Sequence, residues 1–162
     1  MTWQTNSTDS AATEQLGQLL AKHLSGGEVI ELRSDLGGGK TTFVRGLVQG
    51  LGSNDIVSSP TFTINKIYKA KNGLEIHHFD FYRLNEPGII ADQLAESLNN
   101  PKVITVIEWS DIVKDVLPED RLAIEFKPVN LREEERQITI SYPESHTAIV
   151  KSVENGWIEI KP

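Results

Sequence analysis

Three consecutive glycines, Gly37-Gly38-Gly39, run directly into Lys40-Thr41-Thr42, and no other stretch of the chain is so well composed for chemistry. Without side chains, neighbouring glycines let backbone N–H groups converge on phosphate oxygens, and a helix beginning at Lys40 adds the partial positive charge of its N-terminus. Lys40 is then placed to reach the terminal phosphates of a nucleoside triphosphate. The Thr41 hydroxyl is placed to join the hard oxygen ligands of Mg2+. The segment expected to cradle phosphate is Ser34, Asp35, Leu36, Gly37, Gly38, Gly39, Lys40, Thr41 and Thr42. Ser34 stands where the strict pattern has glycine; it is small but takes positive φ less cheaply, so the entry turn is expected to differ slightly. The competing reading is a plain glycine-rich turn, but Gly-Lys-Thr-Thr at this spacing is much rarer than a loose glycine pattern.

A phosphate loop needs an acidic partner for its Mg2+, and the usual source is a hydrophobic strand ending in Asp or Glu. Two places qualify: Val103–Ile107 ends in Glu108, and Ile76–Phe79 ends in Asp80. Lys40, Asp80 and Glu108 are therefore the catalytic candidates, and Thr41, Asp80 and Glu108 the metal candidates; which carboxylate touches Mg2+ directly stays open. His78 and Asp80 share a strand face, which invites a transition-metal reading, but no third ligand lies nearby in sequence and a packed histidine is the commoner case. Trp109 reads as a packing residue beside the site. The acidic run Glu133–Glu135 reads as a solvated loop with no chemistry.

The elements that must hold these residues follow from periodicity and punctuation. Asp9-Ser10 offers N-cap oxygens for a helix carrying Leu16, Leu19, Leu20 and Leu24, stopped by Ser25-Gly26-Gly27. Glu28–Leu32 is a short apolar strand bounded by glycines, and the helix after Lys40 should end near Gly50-Leu51-Gly52. After a turn-rich loop through Ser59-Pro60, two alternating segments, Thr61–Tyr68 and Leu74–Phe79, flank Lys71-Asn72-Gly73 as a hairpin. Ile89, Ile90, Leu94 and Leu98 mark a further helix, and Val103–Ile107 a central parallel strand. Beyond Leu117-Pro118, Arg121–Phe126 and Arg136–Tyr142 read as strands, and Trp157–Ile160 as strand-like. Strands interleaved with helices imply an α/β domain over residues 1–162, with a mixed, mainly parallel sheet flanked by helices and carrying a hairpin; ligands gather at the carboxyl ends of its parallel strands.

Composition narrows the classes. At 162 residues the chain can bury a sizeable core without staples, and with no cysteine it has no disulfide, thiolate metal site or cysteine nucleophile. A formal net charge of −7 and six scattered arginines argue against a broad cationic face for nucleic acid, so any such role should be indirect. With no signal-like or membrane-spanning run, a cytoplasmic protein without membrane contact is the expectation.

Four motifs together resemble the TsaE family of small bacterial ATPases, also called YjeE: Asp35-Leu36-Gly37-Gly38-Gly39-Lys40-Thr41-Thr42-Phe43, Ser59-Pro60-Thr61-Phe62, His78-Phe79-Asp80-Phe81-Tyr82-Arg83-Leu84 and Ile107-Glu108-Trp109-Ser110. They stand in the family's order, and the likeness covers nearly the whole chain, fading in the tail. Departures are Ser34 for the usual glycine, Gly38 where alanine is common, and Gly88–Asp92 in place of an acidic pattern. The resemblance implies a P-loop ATPase using ATP and Mg2+ and working with the TsaD and TsaB proteins. Those partners transfer a threonylcarbamoyl group to adenosine 37 of tRNA, while ATP hydrolysis permits repeated turnover and tRNA is met only through the complex. It also implies that Asp80 and Glu108 surround Mg2+ and the attacking water, that Ser59-Pro60-Thr61 acts as a switch, and that Ser10 and Arg136 lie near the nucleotide.

A P-loop small-molecule kinase is the alternative, but no arginine cluster suggests a closing lid. A GTPase would want a guanine-reading Asn-Lys-x-Asp, and Asn65-Lys66-Ile67-Tyr68 lacks the Asp. With no obvious arginine finger beside the phosphate loop, hydrolysis by the isolated chain is expected to be slow.

Overall fold

Seven strands and four α-helices make up the computed structural model, which describes residues 1–35 and 37–160. The strands are β1 (Thr2–Ser7), β2 (Val29–Arg33), β3 (Asn65–Lys69), β4 (Glu75–Asp80), β5 (Val103–Glu108), β6 (Leu122–Val129) and β7 (Arg132–Ser141); the helices are α1 (Ser10–Ala21), α2 (Lys40–Gly50), α3 (Ile90–Leu98) and α4 (Thr147–Ile160). One sheet runs in the order β1-β7-β6-β2-β5-β4-β3. Its centre, β6-β2-β5-β4, is parallel, and the β3, β7 and β1 pairings at its flanks are antiparallel. Of the four central strands β5 is buried throughout and β2 over its first four residues, as cover on both faces requires, whereas β4 and β6 mix polar residues with apolar ones.

Alternation along those strands divides the core. Ile30, Leu32, Ile104, Val106, Leu122 and Ile124 pack with Leu16 and Leu20 of α1, Phe43 and Leu47 of α2, and Val150, Val153 and Trp157 of α4. Val29, Phe79 and Ile107 join Leu94 of α3 with Phe81, Val113 and Leu117 in a second cluster. Asp9 caps α1, its Oδ1 accepting from the Ala12 N–H at 2.7 Å. Two glycines then let α1 lie directly on α2: a Cβ on Gly17 would come within 2.8 Å of the Leu47 backbone nitrogen, and one on Gly46 would overlap the Glu14 carbonyl. That close crossing brings the start of α1 to the start of α2, where the site lies.

Three expectations need correction, and one segment without an assignment gains one. Thr2–Ser7, polar and unassigned in the sequence, is edge strand β1, paired from Thr2↔Ser141 to Ser7↔Arg136. Trp157–Ile160 is the last turn of α4, because Val150, Val153 and Trp157 recur at helical spacing and the Trp157 indole donates to Thr5 Oγ1 at 2.7 Å. Thr61–Ile64 is a turn off Pro60 rather than the start of β3, with Ile64 at φ +68°. Glu133–Glu135 belongs to β7, because Val129 pairs with Arg132 and the turn between β6 and β7 is that short.

Candidate functional site

The phosphate loop joins the carboxyl end of β2 to the N-terminus of α2. Gly39 occupies the N-cap at φ +103° and Gly37 sits at φ +76°, left-handed conformations that only glycine takes without strain. No side chain caps α2, so the loop presents backbone N–H groups at the positive end of a helix dipole. Leu36, included in the expected loop, lies outside the described residues.

Lys40 is 7% exposed. Its Nζ donates to the Ser34 carbonyl and hydroxyl, both at 2.9 Å, and to the Asp35 carbonyl at 3.3 Å, and lies 5.0 Å from the centroid of the Trp109 ring. Burial pushes the ammonium below its ordinary value of 10.5, against the opposing pull of Glu108, Asp80 and Asp35. An anion beside it would offset that cost.

The two acidic candidates end adjacent parallel strands in register, Asp80 opposite Glu108. Asp80 is 1% exposed and Glu108 3%. Asp80 accepts from the Thr61 hydroxyl at 2.7 Å and from the Tyr82 N–H at 2.9 Å. Glu108 Oε1 is 2.8 Å from His78 Nε2, and His78 Nδ1 is buried without a partner. That arrangement fits Nε2 donating to the carboxylate, with the ring 6.5 Å from that of Tyr68. The histidine beside Asp80 therefore packs behind Glu108.

A cleft of about 300 Å³ gathers these groups. Ser10, Thr13, Gly37, Gly38, Gly39, Lys40, Thr41 and Thr42 form one wall, and Ser59, Thr61, Asp80, Glu108, Trp109, Glu133, Glu134 and Arg136 the rest. Ser34 and Asp35 line a neighbouring cleft instead, although Ser34 touches Lys40. Thr13 escaped the sequence reading, since a threonine on an amphipathic helix carries no signal of its own. Glu133 and Glu134 were set aside as loop. An arginine does stand beside the phosphate loop: Arg136 Nε donates to the Gly38 carbonyl at 3.1 Å, while Nη1 is taken by the carbonyls of Glu133 and Glu135. It braces the loop from β7, far away in sequence. The Thr41 hydroxyl and two carboxylates form an all-oxygen set that suits Mg2+ rather than a softer metal.

Behind Trp109, Glu31 closes the sheet's opposite face. Its oxygens accept from Arg33 at 2.9 and 3.0 Å, from Ser110 Oγ at 2.5 Å and from Arg121 Nε at 2.8 Å. Trp109 takes φ +55°, a costly conformation for a bulky residue, and the Ser110–Glu31 bond fixes the turn that holds it. Burial alone would raise the Glu31 pKa, but the hydrogen bonds from Arg33, Ser110 and Arg121 prevail and bring it from 4.5 to about 2. The unfolded chain therefore takes up this proton first as pH falls, so the stabilisation is full above about 4.5 and fades toward about 2. Glu31→Gln should cost about 1–3 kcal/mol in urea unfolding at pH 7, since the carboxylate is buried but its arginine partners reach solvent. The gap from the unsubstituted protein should narrow at pH 3; an equal gap at both values would contradict this account.

A parallel sheet whose first βα turn is a glycine loop ending in Lys-Thr, with carboxylates at the two neighbouring strand ends, defines a P-loop NTPase fold. Within that class, the family model for the threonylcarbamoyl adenosine biosynthesis protein TsaE matches residues 7–138. A curated TsaE of Bacillus subtilis is 34% identical over 139 residues, covering 86% of this chain and 84% of that protein. A TsaE of Rickettsia conorii is 41% identical over 106 residues, covering 65% and 59%. The crystal structure of B. subtilis YdiB superposes with a TM-score of 0.77 at 27% identity, over 96% of each chain. The chain belongs to the TsaE family. Among the described residues no helix is long and apolar enough to cross a membrane.

Proposed function

We infer that this chain binds and hydrolyses Mg-ATP as an accessory of the threonylcarbamoyl transfer to adenosine 37 of tRNA, resetting a TsaD–TsaB transferase between turnovers. The observation that carries the reading is the single cleft joining the α2 N-terminus, Lys40 and Thr41 to Asp80 and Glu108. In this assignment the amides of Gly37–Thr42 and the Lys40 ammonium hold the phosphates, and Ser10 and Arg136 border the nucleotide. Thr41, Asp80 and Glu108 hold Mg2+, which when bound neutralises charge on the phosphate oxygens. One carboxylate is close enough to the cleft to orient a water, and His78 holds the Glu108 side chain in place from behind. The Thr61 hydroxyl on Asp80 couples the Ser59–Thr61 loop to that carboxylate.

Arg136 is tied through Nε and Nη1 to the backbone carbonyls of Gly38, Glu133 and Glu135, so it serves as a brace, and without an arginine finger from a partner the isolated chain should hydrolyse ATP slowly. The net charge of −7 suits a helper that leaves tRNA contact to its partners, in the cytoplasm.

The test is a tRNA-modification assay with TsaD, TsaB and a threonylcarbamoyl-adenylate source. Product should stop after about one turnover without this chain, continue with it, and stall with Lys40→Ala, the behaviour of an ATP-driven reset. Sustained turnover with Lys40→Ala would remove ATP use from the mechanism.

A further inference from the structure

Ser34 makes two demands on the phosphate loop at once. Its Oγ donates to the Asp35 carbonyl at 2.8 Å, which commits the hydroxyl proton, and accepts from Lys40 Nζ at 2.9 Å. The ammonium thus has three acceptors for three hydrogens, two of them supplied by Ser34. The same side chain fills the space over Gly38. A Cβ on Gly38 would overlap Ser34 Oγ and come within 2.6 Å of Ser34 Cβ and 3.0 Å of the Asp35 carbonyl oxygen. Rotating the hydroxyl relieves only the first clash, because Cβ is fixed by the backbone. Gly38, unlike Gly37 and Gly39, is not at positive φ. Its glycine is therefore required by a neighbour, not by its own conformation.

We propose that Ser34 is a positioning residue for Lys40, and that Ser34 and Gly38 form one unit in which the hydroxyl seats the ammonium and the missing side chain at 38 admits the serine. The proposal rests on the reading of this loop as a phosphate cradle.

The test is a cycle of the unsubstituted protein, Ser34→Gly, Gly38→Ala and the double variant, with Ser34→Ala and Ser34→Thr beside it. Thermal unfolding is followed without nucleotide, and binding with a non-hydrolysable ATP analogue plus Mg2+. Gly38→Ala should melt several degrees lower and bind at least about tenfold more weakly, since a clash with a backbone-fixed Cβ relaxes only by shifting the loop; the double variant should recover most of both losses. Ser34→Ala keeps the Cβ and loses the hydroxyl, so it should weaken binding about threefold to tenfold and shift the NMR signal of a 13C-labelled Lys40 ε-carbon. It should not rescue Gly38→Ala, whereas Ser34→Thr should retain both the binding and the NMR signal. If Gly38→Ala fails to fold, recovery of folded protein by Ser34→Gly supports the pairing. A double variant no better than Gly38→Ala overturns the pairing, and a Lys40 signal indifferent to Ser34→Ala overturns the seating. If even the unsubstituted protein binds no nucleotide, the functional assignment falls, while the melting cycle and the Lys40 signal still decide between these outcomes.

Discussion

Lys40→Met should abolish nucleotide-induced stabilisation while leaving the nucleotide-free protein as stable as before or more so. Lys40 is buried, its ammonium is held below its ordinary pKa by that burial, and its acceptors are backbone carbonyls, one hydroxyl and an aromatic face rather than a paired carboxylate. Methionine fills a similar volume with no charge to desolvate. The unsubstituted protein at 100 times its Kd for Mg-ATP should gain about 2.7 kcal/mol, a rise in Tm of about 5–10 °C for a chain of this size. The variant should show none of that rise, and turnover at least about 100-fold lower, as when a positioned charge is removed from a developing oxyanion. Calorimetric scans with and without Mg-ATP check both halves. A variant that melts far lower without ligand would make Lys40 a structural residue and defeat the argument.

Asp80→Asn and Glu108→Gln should separate binding from hydrolysis. Both carboxylates are nearly fully buried at adjacent strand ends, where two like charges are costly unless a cation lies between them. Each amide can keep the existing hydrogen bonds. In Asp80→Asn the side-chain oxygen would still accept from the Tyr82 N–H, and the new NH2 would donate to the Thr61 hydroxyl. In Glu108→Gln the side-chain oxygen would still accept from His78. Both variants should therefore fold, melt slightly higher without Mg2+, and bind nucleotide through the intact loop. Turnover should fall about 100- to 1,000-fold, with half-maximal activity reached only at higher Mg2+. Mg2+ titrations of single-turnover hydrolysis measure this. Full activity in both variants would remove the carboxylates from the chemistry.

The phosphate loop was legible because its residue types are dictated locally: a positive φ at Gly37 and Gly39, a lysine and a threonine at fixed offsets. Val103–Glu108 was legible because all six of its residues are buried, which selects a short, largely β-branched apolar run. Asp80 and Glu108 were each legible as the end of a strand, but that β4 and β5 are neighbours in register was not. What escaped was decided by distant partners. Thr2–Ser7 has no apolar run, and it becomes a strand because β7 offers an open edge. Trp157–Ile160 alternates like a strand over four residues, yet the helical face that begins at Val150 carries it. Arg136 reached the phosphate loop only by family resemblance; nothing in Glu135-Arg136-Gln137 says that its guanidinium will meet the Gly38 carbonyl 98 residues away. Thr61 on Asp80 and Glu31 beneath Trp109 are likewise contacts across the fold, set by sheet order rather than by local pattern.

The sheet order also imposes a timetable on a chain emerging from the ribosome. β2, which launches the phosphate loop, leaves early, but one of its two neighbours is β6, and β1 must wait for β7, with Thr2 pairing Ser141. α1, which walls the cleft with Ser10 and Thr13, is covered by Val150, Val153 and Trp157 of α4. Pairings so far apart form late and slowly. A nascent chain stopped before residue 132 would carry every residue of the glycine loop and both carboxylates, yet would lack the Arg136 brace and the strand that seats its own beginning. The cleft is therefore completed only when β7 is in place, and a fragment without that strand should show weaker nucleotide binding than the chain that has it.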